Sequence, residues 1–259
     1  ACGDDGCFHI STDMCKAHRD VVLAEIKRRT ASGEPCRLVS TSCIEAGVDL
    51  DFEVMFRALA PLDSIVQCAG RCNRNGRGSG RMTVFVPAED RLYPSRSYEY
   101  AAGCVRLLDS RHAIDINDPR HIAEYYRELF SGMPRDREKL VRAIAEHDFE
   151  EAEKQYRLID NAGVNVLVPY QGMPELYDRL ARQAVTSGIN KQWMKEAAPI
   201  SVTSYRADKL RDLFEPAVIM LPGGKRVGSE SWYICPKGRF YDDKCGLTFD
   251  DDSEQLMCI

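Results

Sequence analysis

Three polar side chains, Gln67, Arg71 and Arg74, have the types and the spacing of an anion-binding surface. They stand at positions i, i+4 and i+7, so a helix over this segment presents all three on one face. Two planar guanidinium groups side by side suit an anion with several oxygens, such as a phosphate. A solvated basic helix face is the alternative explanation of the two arginines. The opposite face of the predicted helix is apolar and carries Ile65, Ala69 and Cys72.

A second polar segment lies before this helix, where a short apolar run ends. Ser40 and Thr41 close a predicted strand at 36–41, and a loop with Gly47 and Asp49 follows. Ligand sites of open α/β sheets lie at the carboxyl ends of strands, so we expect these side chains to meet the arginines there. Capping of the strand end is the structural alternative for Ser40 and Thr41.

These segments resemble a known family. STSCIEAGVD, residues 40–49, resembles motif V of superfamily-two helicases, and QCAGRCNR, residues 67–74, resembles motif VI. Both variants are most similar to those of the CRISPR-associated helicase-nuclease that degrades DNA in type I interference. HISTDM, residues 9–14, followed by His18-Arg19, resembles a segment at the start of that family's second RecA-like domain. The motif match covers about residues 8–90, and the remainder resembles the family's linker and C-terminal domain more loosely.

The resemblance implies roles for the helix and the loop. Arg71 and Arg74 would be arginine fingers that reach the γ-phosphate of ATP and stabilise charge during phosphoryl transfer. Gln67 would contact the nucleotide or couple it to DNA. Gly47 and Asp49 would lie on the ribose side of the nucleotide cleft, where Gly47 permits close backbone approach.

The resemblance also implies a surface for single-stranded DNA. Ser11, Thr12, Ser40 and Thr41 would donate hydrogen bonds to DNA phosphates, and such contacts set the register without reading the sequence. A turn or a helix start is the structural alternative for Ser11 and Thr12.

The other parts of such a motor are expected outside this chain. ATP and magnesium would be bound mainly by the family's first RecA-like domain, and neither is expected to bind tightly to this chain alone. Only Gly224-Lys225 resembles a phosphate-binding loop, and Arg226 stands where that loop needs Ser or Thr. The resemblance implies that the nuclease occupies a separate metal-binding domain. His147-Asp148 is interpreted as a solvated pair within a helix. The family's second RecA-like domain also begins with a strand and a helix that we expect to be missing here.

The elements that must position these residues predict an α/β fold. A truncated RecA-like domain with a parallel sheet is expected over 1–94, a linker helix over 95–112 and a smaller α+β domain over 113–259. The first domain has predicted strands at 7–11, 36–41, 53–58 and 81–86, and a helix at 17–32 that Gly33 ends.

The last domain has its own pattern of helices and strands. Asp118 followed by Pro119 predicts a helix start, because an Asp cap and a proline at the first helical position favour one. Helices are also predicted at 134–156 and 174–188, a hairpin of 157–159 with 164–168, and short strands at 200–204, 217–221, 232–235 and 239–241.

Composition is that of a globular protein, with 44% hydrophobic and 29% charged residues and a net charge of −5. No apolar run reaches the length of a membrane span and no secretory signal is visible, so we expect a cytoplasmic protein without a membrane partner. The eleven cysteines include no C-x-x-C pair and are expected to be reduced core residues rather than a disulfide framework or a zinc site. The overall charge supplies no argument for nucleic-acid binding.

Three hypotheses of different classes remain open. The chain is part of an ATP-dependent helicase-nuclease that works with the N-terminal helicase and nuclease domains on single-stranded DNA and is inactive alone. Alternatively, it is a stand-alone module that binds single strands or docks onto the RNA-guided surveillance complex. The third hypothesis is a remnant without activity.

Overall fold

The computed structural model describes residues 6–44, 48–76, 78–88, 93–132, 138–155 and 163–249. In chain order the helices and strands are β1 (Cys7–Ile10), α1 (Lys16–Ser32), β2 (Arg37–Ser40), β3 (Val54–Ala58), α2 (Leu62–Ala69), β4 (Arg81–Phe85), α3 (Arg96–Arg111), α4 (Pro119–Ser131), α5 (Glu138–Ala145), α6 (Phe149–Gln155), β5 (Val164–Leu167), α7 (Pro174–Thr186), α8 (Lys191–Ala197), β6 (Ser201–Ser204), α9 (Ala207–Leu213), β7 (Glu215–Met220), β8 (Arg226–Ile234), β9 (Tyr241–Asp242) and β10 (Gly246–Leu247).

The predicted α/β class is confirmed, with parallel strand pairs in the first part of the chain. β1 pairs in parallel with β2, and β3 pairs in parallel with β4. Each pair is joined through a helix, α1 or α2, because parallel neighbours need a crossover connection. Gly33 ends α1 with a positive φ of 70°, as predicted from its place in the sequence.

The chain divides into two compact units. Ala1–Ile44 together with Ile159–Ile259 form one, here called the discontinuous unit, and Glu45–Leu158 form the other, here called the central unit. The predicted domain boundaries at 94 and 112 follow the family pattern rather than these units, and they stay a prediction.

The discontinuous unit has its core on a four-stranded sheet in the order β6-β5-β8-β7. Trp193 is 1% exposed, its indole N–H donates to the carbonyl oxygen of Leu180 at 2.9 Å, and its ring meets the ring of Trp232 edge-on. Cys15 and Ala17, near the start of α1, pack against the same core. The β1-α1-β2 segment is thereby part of this unit.

The predicted hairpin of 157–159 with 164–168 is wrong. β5 is antiparallel to β6 on one side and parallel to β8 on the other, so both of its edges are occupied. Its true neighbours lie far along the chain, and an adjacent strand has no edge to pair with. Residues 156–162 themselves lie outside the described ranges.

The central unit packs α2, α3 and α4 around a second core. α3 corresponds to the helix predicted over 95–112, and the Ser95 side chain caps it by accepting from the Tyr98 N–H. α4 begins at Pro119, and the Asp118 side chain accepts from the Arg120 N–H, as predicted for this cap. The buried core residues of this unit include Leu62, Ile65, Leu108, Tyr125 and Leu129.

The long helix predicted over 134–156 is also wrong, because the chain turns at His147. α5 ends at Ala145, and His147 adopts a left-handed φ of 57°. The Asp148 N–H donates to the carbonyl oxygen of Ala143, and the His147 N–H donates to that of Ile144, which is the hydrogen-bond pattern of a Schellman helix end. Asp148 then caps α6 by accepting from the N–H of Glu151.

The described cysteines follow the predicted reduced state with one exception, but only four of the free ones are buried in a core. Eight described cysteines are free, and burial raises the pKa of the Cys235 thiol to about 12 and that of the Cys15 thiol above its usual value. Cys7 is instead disulfide-bonded, so the expectation of reduced cysteines is wrong there. Whether two cysteines can pair depends on the distance between their Cβ atoms, which cysteine spacing does not reveal.

Candidate functional site

The arginine helix is shorter than predicted. α2 ends at Ala69, so Gln67 is helical while Arg71 and Arg74 follow the helix end, and the common helix face for all three is wrong. The N–H of Gly70 still donates to the carbonyl oxygen of Val66 at 3.0 Å, but the chain then leaves the helix. The buried residues of α2 are Leu62, Ile65 and Cys68, and Gln67 is exposed.

A parallel bridge between Phe52 and Cys72 redirects the chain. The N–H of Phe52 donates to the carbonyl oxygen of Arg71 at 3.1 Å, and the N–H of Asn73 donates to the carbonyl oxygen of Phe52 at 2.9 Å. Asn73 has a left-handed φ of 49°, which an asparagine tolerates better than most side chains. Its own side chain closes the turn, with Nδ2 donating to the carbonyl oxygen of Gly78 and Oδ1 accepting from the N–H of Gly78.

Asp51 organises the backbone around Arg74. Its carboxylate accepts from the backbone N–H of Arg74 at 2.7 Å and from the backbone N–H of Asn75 at 3.2 Å. The side-chain amide of Asn75 donates to the same carboxylate at 2.8 Å. An anion held by consecutive backbone N–H groups fixes the direction in which the chain continues. We define residues 70–78 as the arginine turn.

Within the arginine turn, the Arg74 side chain contacts Asp49. Nη1 of Arg74 lies 3.2 Å from Oδ1 of Asp49, and the two side chains are 42% and 79% exposed. Arg71 is half-buried. The structure therefore brings Asp49 and Arg74 together as predicted for one ligand site, whereas Gly47 lies outside the described residues.

The donor set of the arginine turn fits part of a nucleotide. Two guanidinium groups suit phosphate oxygens, and the exposed carboxylate of Asp49 can accept from a hydroxyl group. Gly224-Lys225 supplies no phosphate-binding loop, because it lies in the hairpin turn between β7 and β8, where the N–H of Leu221 donates to the carbonyl oxygen of Lys225. The described residues can thus contact phosphate oxygens through guanidinium groups, but they do not form a phosphate-binding loop.

The four hydroxyl residues lie together at one edge of the β1–β2 pair. Ile10 is opposite Ser40 in the parallel register, and the N–H of Thr41 donates to the carbonyl oxygen of Ile10 at 3.1 Å. Ser11 and Thr12 follow β1 at the same end. We call these four residues, Ser11, Thr12, Ser40 and Thr41, the hydroxyl edge.

Exposure differs within the hydroxyl edge. Thr12 and Thr41 are exposed and Ser40 is half-buried. Ser11 is 3% exposed, and its hydroxyl oxygen accepts from the N–H of Asp13 at 3.3 Å, which is the turn role weighed as its structural alternative. The hydroxyl edge belongs to the discontinuous unit, and the arginine turn belongs to the central unit. The two groups of residues are therefore described separately.

Sequence reasoning missed Asp51 and Asn73. Neither is a phosphate-binding side chain by type, although Asp51 follows Asp49 at an alternating position and asparagine is a common turn residue. Their partners lie more than twenty residues away or across a turn, so only the folded backbone identifies what they hold.

Metal and membrane features are not found in the part of the chain that the structure describes. No group of three or more His, Cys, Asp or Glu side chains there could hold a metal ion. His147 is exposed at a helix end rather than within a helix. None of the described helices is both long and apolar enough to cross a bilayer.

Known proteins share part of this sequence. The family model "CRISPR-associated nuclease/helicase Cas3, C-terminal" matches residues 6–77. The CRISPR-associated nuclease/helicase Cas3 of Haloferax volcanii is 50% identical over 72 residues, which are 26% of this chain and 8% of that protein. The Cas3 of Methanothermobacter thermautotrophicus is 28% identical over 163 residues, 57% of this chain and 20% of that protein. The aligned part therefore spans a fifth or less of these relatives.

Solved structures share the fold. A chain of T. fusca Cas3 with AMPPNP matches with a TM-score of 0.51 and 16% identity, over 94% of this chain and 35% of that one. A chain of the structure "CRISPR RNA-guided surveillance complex, pre-nicking" matches with a TM-score of 0.54 and 16% identity, over 94% of this chain and 37% of that one. At this identity the likeness concerns the fold alone.

The two motifs that suggested the family lie inside the matched segment, so the resemblance stated from the sequence is confirmed. Residues 6–77 of this chain thus match the family model of the C-terminal region of the CRISPR-associated nuclease/helicase Cas3.

Proposed function

We propose that this chain belongs to an ATP-dependent translocase and helicase-nuclease that acts on single-stranded DNA in type I CRISPR interference. In that enzyme it supplies arginine fingers and part of the DNA-binding groove, and it is inactive without the other helicase domain. The observation that carries the proposal is the Arg74 side chain, which is anchored through its backbone to Asp51 yet stays 42% exposed within the segment that matches the family.

Arg74 is suited to move from a carboxylate to a phosphate. Its ion pair with Asp49 is solvent-exposed, and pairs of this kind contribute about 0–1 kcal/mol. A polyphosphate carries more charge and more acceptor oxygens than one carboxylate, so it competes well for the guanidinium group. ATP bound with magnesium, mainly by the first RecA-like domain, supplies the phosphoanhydride bond whose cleavage drives movement.

The arginine turn then has two separate tasks. Its guanidinium groups, on Arg71 and Arg74, stabilise negative charge that develops on the transferred phosphoryl group. Asp49, released from Arg74, accepts from a ribose hydroxyl, and Gln67 on the exposed side of α2 contacts the nucleotide or couples it to DNA. The proposed role of Gly47 on the ribose side rests on the family resemblance, because Gly47 lies outside the described residues.

The hydroxyl edge supplies contacts to DNA phosphates. Thr12 and Thr41 are exposed at the carboxyl end of the parallel pair, so their hydroxyl groups can reach a backbone phosphate. At the same end of the pair, Ser40 is half-buried and can make a further contact, whereas Ser11 is buried. Contacts of this kind hold a strand without selecting its sequence, which suits a translocase.

The partners of the complete enzyme follow from the family. They are the first RecA-like domain, the nuclease domain, single-stranded DNA and an RNA-guided surveillance complex, the assembly to which one of the matched structures belongs. DNA interference takes place where foreign DNA is present in the cell, so we assign the protein to the cytoplasm.

The test is ATP hydrolysis stimulated by single-stranded DNA. The chain is assayed alone and with a polypeptide that carries the family's first RecA-like domain, each with Arg71→Ala and Arg74→Ala. We expect activity only in the mixture and a fall in kcat on the order of 10³-fold for a lost finger. Arg127→Ala, at an exposed position on α4, is the matched control and is expected to leave the rate unchanged.

The opposite results separate the alternatives. A mixture that hydrolyses ATP equally well with both arginine substitutions contradicts the finger assignment. A folded chain that never supports hydrolysis, yet binds the surveillance complex, favours the docking module.

A further inference from the structure

A small hairpin near the other end of the discontinuous unit lies against the loop that follows β1. It consists of β9, a turn and β10, with Leu247 paired to Tyr241 and Gly246 to Asp242. The carboxylate of Asp242 stabilises the turn by accepting from the backbone N–H groups of Lys244 and Cys245 at 2.7 and 2.6 Å. We call residues 241–247 the clamp hairpin.

The clamp hairpin touches the backbone of Asp13 directly. The N–H of Leu247 donates to the carbonyl oxygen of Asp13 at 2.7 Å. Gly246 has a φ of +84°, and a Cβ atom at this position would overlap the same oxygen. Because a side chain there would push Asp13 away, the close approach requires glycine.

A cluster of buried polar groups holds Cys15 and His18, which follow Asp13 in the chain. The hydroxyl oxygen of Tyr241 accepts from the N–H of Cys15 at 3.1 Å. Nε2 of His18 lies 2.9 Å from the carbonyl oxygen of Asp243, which can only accept, so Nε2 carries the hydrogen. Nδ1 of the neutral ring is then the acceptor for the Tyr241 hydroxyl at 3.0 Å.

These contacts surround the backbone that presents two residues of the hydroxyl edge. Thr12 lies between Ser11, whose hydroxyl accepts from the Asp13 N–H, and Asp13, whose carbonyl oxygen the hairpin holds. The N–H of Met14 donates to the carbonyl oxygen of Ser11, which closes the turn. A shift of Asp13 must therefore redirect Thr12.

We propose that the clamp hairpin is a positioning element for the DNA contact of Thr12, so that the C-terminal region adjusts the affinity of the chain for single-stranded DNA. The inference rests on the proposed DNA-binding role of the hydroxyl edge. Gly246, Tyr241 and His18 act through the loop backbone and touch no DNA themselves.

The test is the Kd of the chain for fluorescent oligothymidylate, measured by anisotropy. Gly246→Ala is expected to raise Kd about fivefold, the factor that corresponds to one typical hydrogen bond. Gly238→Ala is the matched control, because Gly238 has a similar φ of +82° and nothing within 4 Å of an added Cβ. Both variants carry the same backbone strain, but only one pushes on Asp13.

A double-mutant cycle separates positioning from general destabilisation. Thr12→Ala is measured in the wild-type chain and in the Gly246→Ala chain, and its effect on Kd is expected to shrink in the second. Tyr241→Phe, which keeps the ring and removes the hydroxyl, is expected to act in the same direction as Gly246→Ala. Additive effects of Thr12→Ala and Gly246→Ala overturn the positioning role.

A different result tests the underlying function. If Thr12→Ala and Thr41→Ala bind oligothymidylate as tightly as the wild-type chain, the DNA role of the hydroxyl edge is wrong, and the inference falls with it. Binding that depends on Thr12 but is insensitive to Gly246→Ala overturns the inference alone.

Discussion

At the scale of single residues, Arg74 combines a backbone held by hydrogen bonds with an exposed side chain. Its backbone N–H is fixed by the Asp51 carboxylate, while its side chain makes one exposed ion pair with Asp49. The backbone anchor is the more durable contact, because a carboxylate with two backbone donors and one amide donor is better satisfied than an exposed pair. The guanidinium group is therefore held less firmly than the backbone of Arg74.

Asp51→Asn should disturb the arginine turn. The amide has one acceptor oxygen and no charge, so it cannot replace the carboxylate that Arg74 and Asn75 share. We expect kcat for ATP hydrolysis in the reconstituted mixture to fall about tenfold, which corresponds to about 1.5 kcal/mol, the lower end for hydrogen bonds to charged groups. Steady-state kinetics with variable ATP measures kcat and KM separately.

The control for Asp51 is Asp109→Asn on α3, which removes a carboxylate from an exposed position of the same unit. It is expected to leave kcat unaltered. An Asp51→Asn protein with the kcat of the wild type would show that the turn holds its shape without this carboxylate.

At the scale of elements, α1 is stabilised at its start by a distant partner. Cys15 occupies the N-cap position without a side-chain cap, and the Tyr241 hydroxyl receives its N–H instead. His18, in the first turn of α1, stacks on Tyr170 with ring centroids 5.1 Å apart. The helix start therefore depends on side chains that meet only in the folded chain.

This arrangement predicts that the discontinuous unit loses stability in mild acid. Burial lowers the pKa of His18 below its ordinary value of 6.5, against the opposing influence of Asp243 and Asp242. Below pH 6.5 the unfolded chain binds a proton at this position that the folded chain resists, so the free energy of unfolding falls as pH falls. The slope for one histidine is at most about 1.4 kcal/mol per pH unit.

Urea denaturation followed by tryptophan fluorescence at pH 7.5 and pH 5.5 measures this change. His9 shifts in the same direction, again chiefly through burial, so the comparison with His18→Asn isolates the contribution of His18. The variant is expected to show a smaller difference between the two pH values. An unchanged difference would mean that other groups, not His18, carry the acid sensitivity.

At the scale of the whole molecule, each of the two units has its own hydrophobic core. The discontinuous unit centres on Trp193 and the central unit on Leu108 and Tyr125. Both tryptophans of the chain, Trp193 and Trp232, lie in the discontinuous unit. Tryptophan fluorescence thus reports on one core, whereas far-ultraviolet circular dichroism reports on the helices of both.

Leu108→Ala should therefore separate the two signals. Leu108 is 1% exposed, and truncation of a buried leucine typically costs about 2–5 kcal/mol. We expect the circular dichroism transition to begin at a lower denaturant concentration and to become broader. The midpoint of the fluorescence transition is expected to equal that of the wild type. Leu210→Ala, in the other core, is the matched substitution and should move the fluorescence midpoint. Equal shifts of both signals in both variants would indicate one cooperative unit.

The amino-acid sequence alone was sufficient for elements with a strong local pattern. Apolar periodicity and Gly33 located α1, the apolar runs located β1 to β4, and Asp118 with Pro119 located the start of α4. STSCIEAGVD and QCAGRCNR were enough to recognise the family whose model matches residues 6–77, because each motif consists of contiguous residues. The roles of Arg71, Arg74 and the hydroxyl edge follow from that family and stay predictions.

Only the tertiary structure decided where helices stop and which strands meet. α2 ends at Ala69 because Phe52 offers backbone partners to the residues beyond it, and β5 has two neighbours that leave no edge for a local hairpin. The contact between Cys15 and Tyr241 spans 226 residues. Such pairings are chosen by packing and backbone hydrogen bonds across the fold, and these leave no periodic signal in the chain.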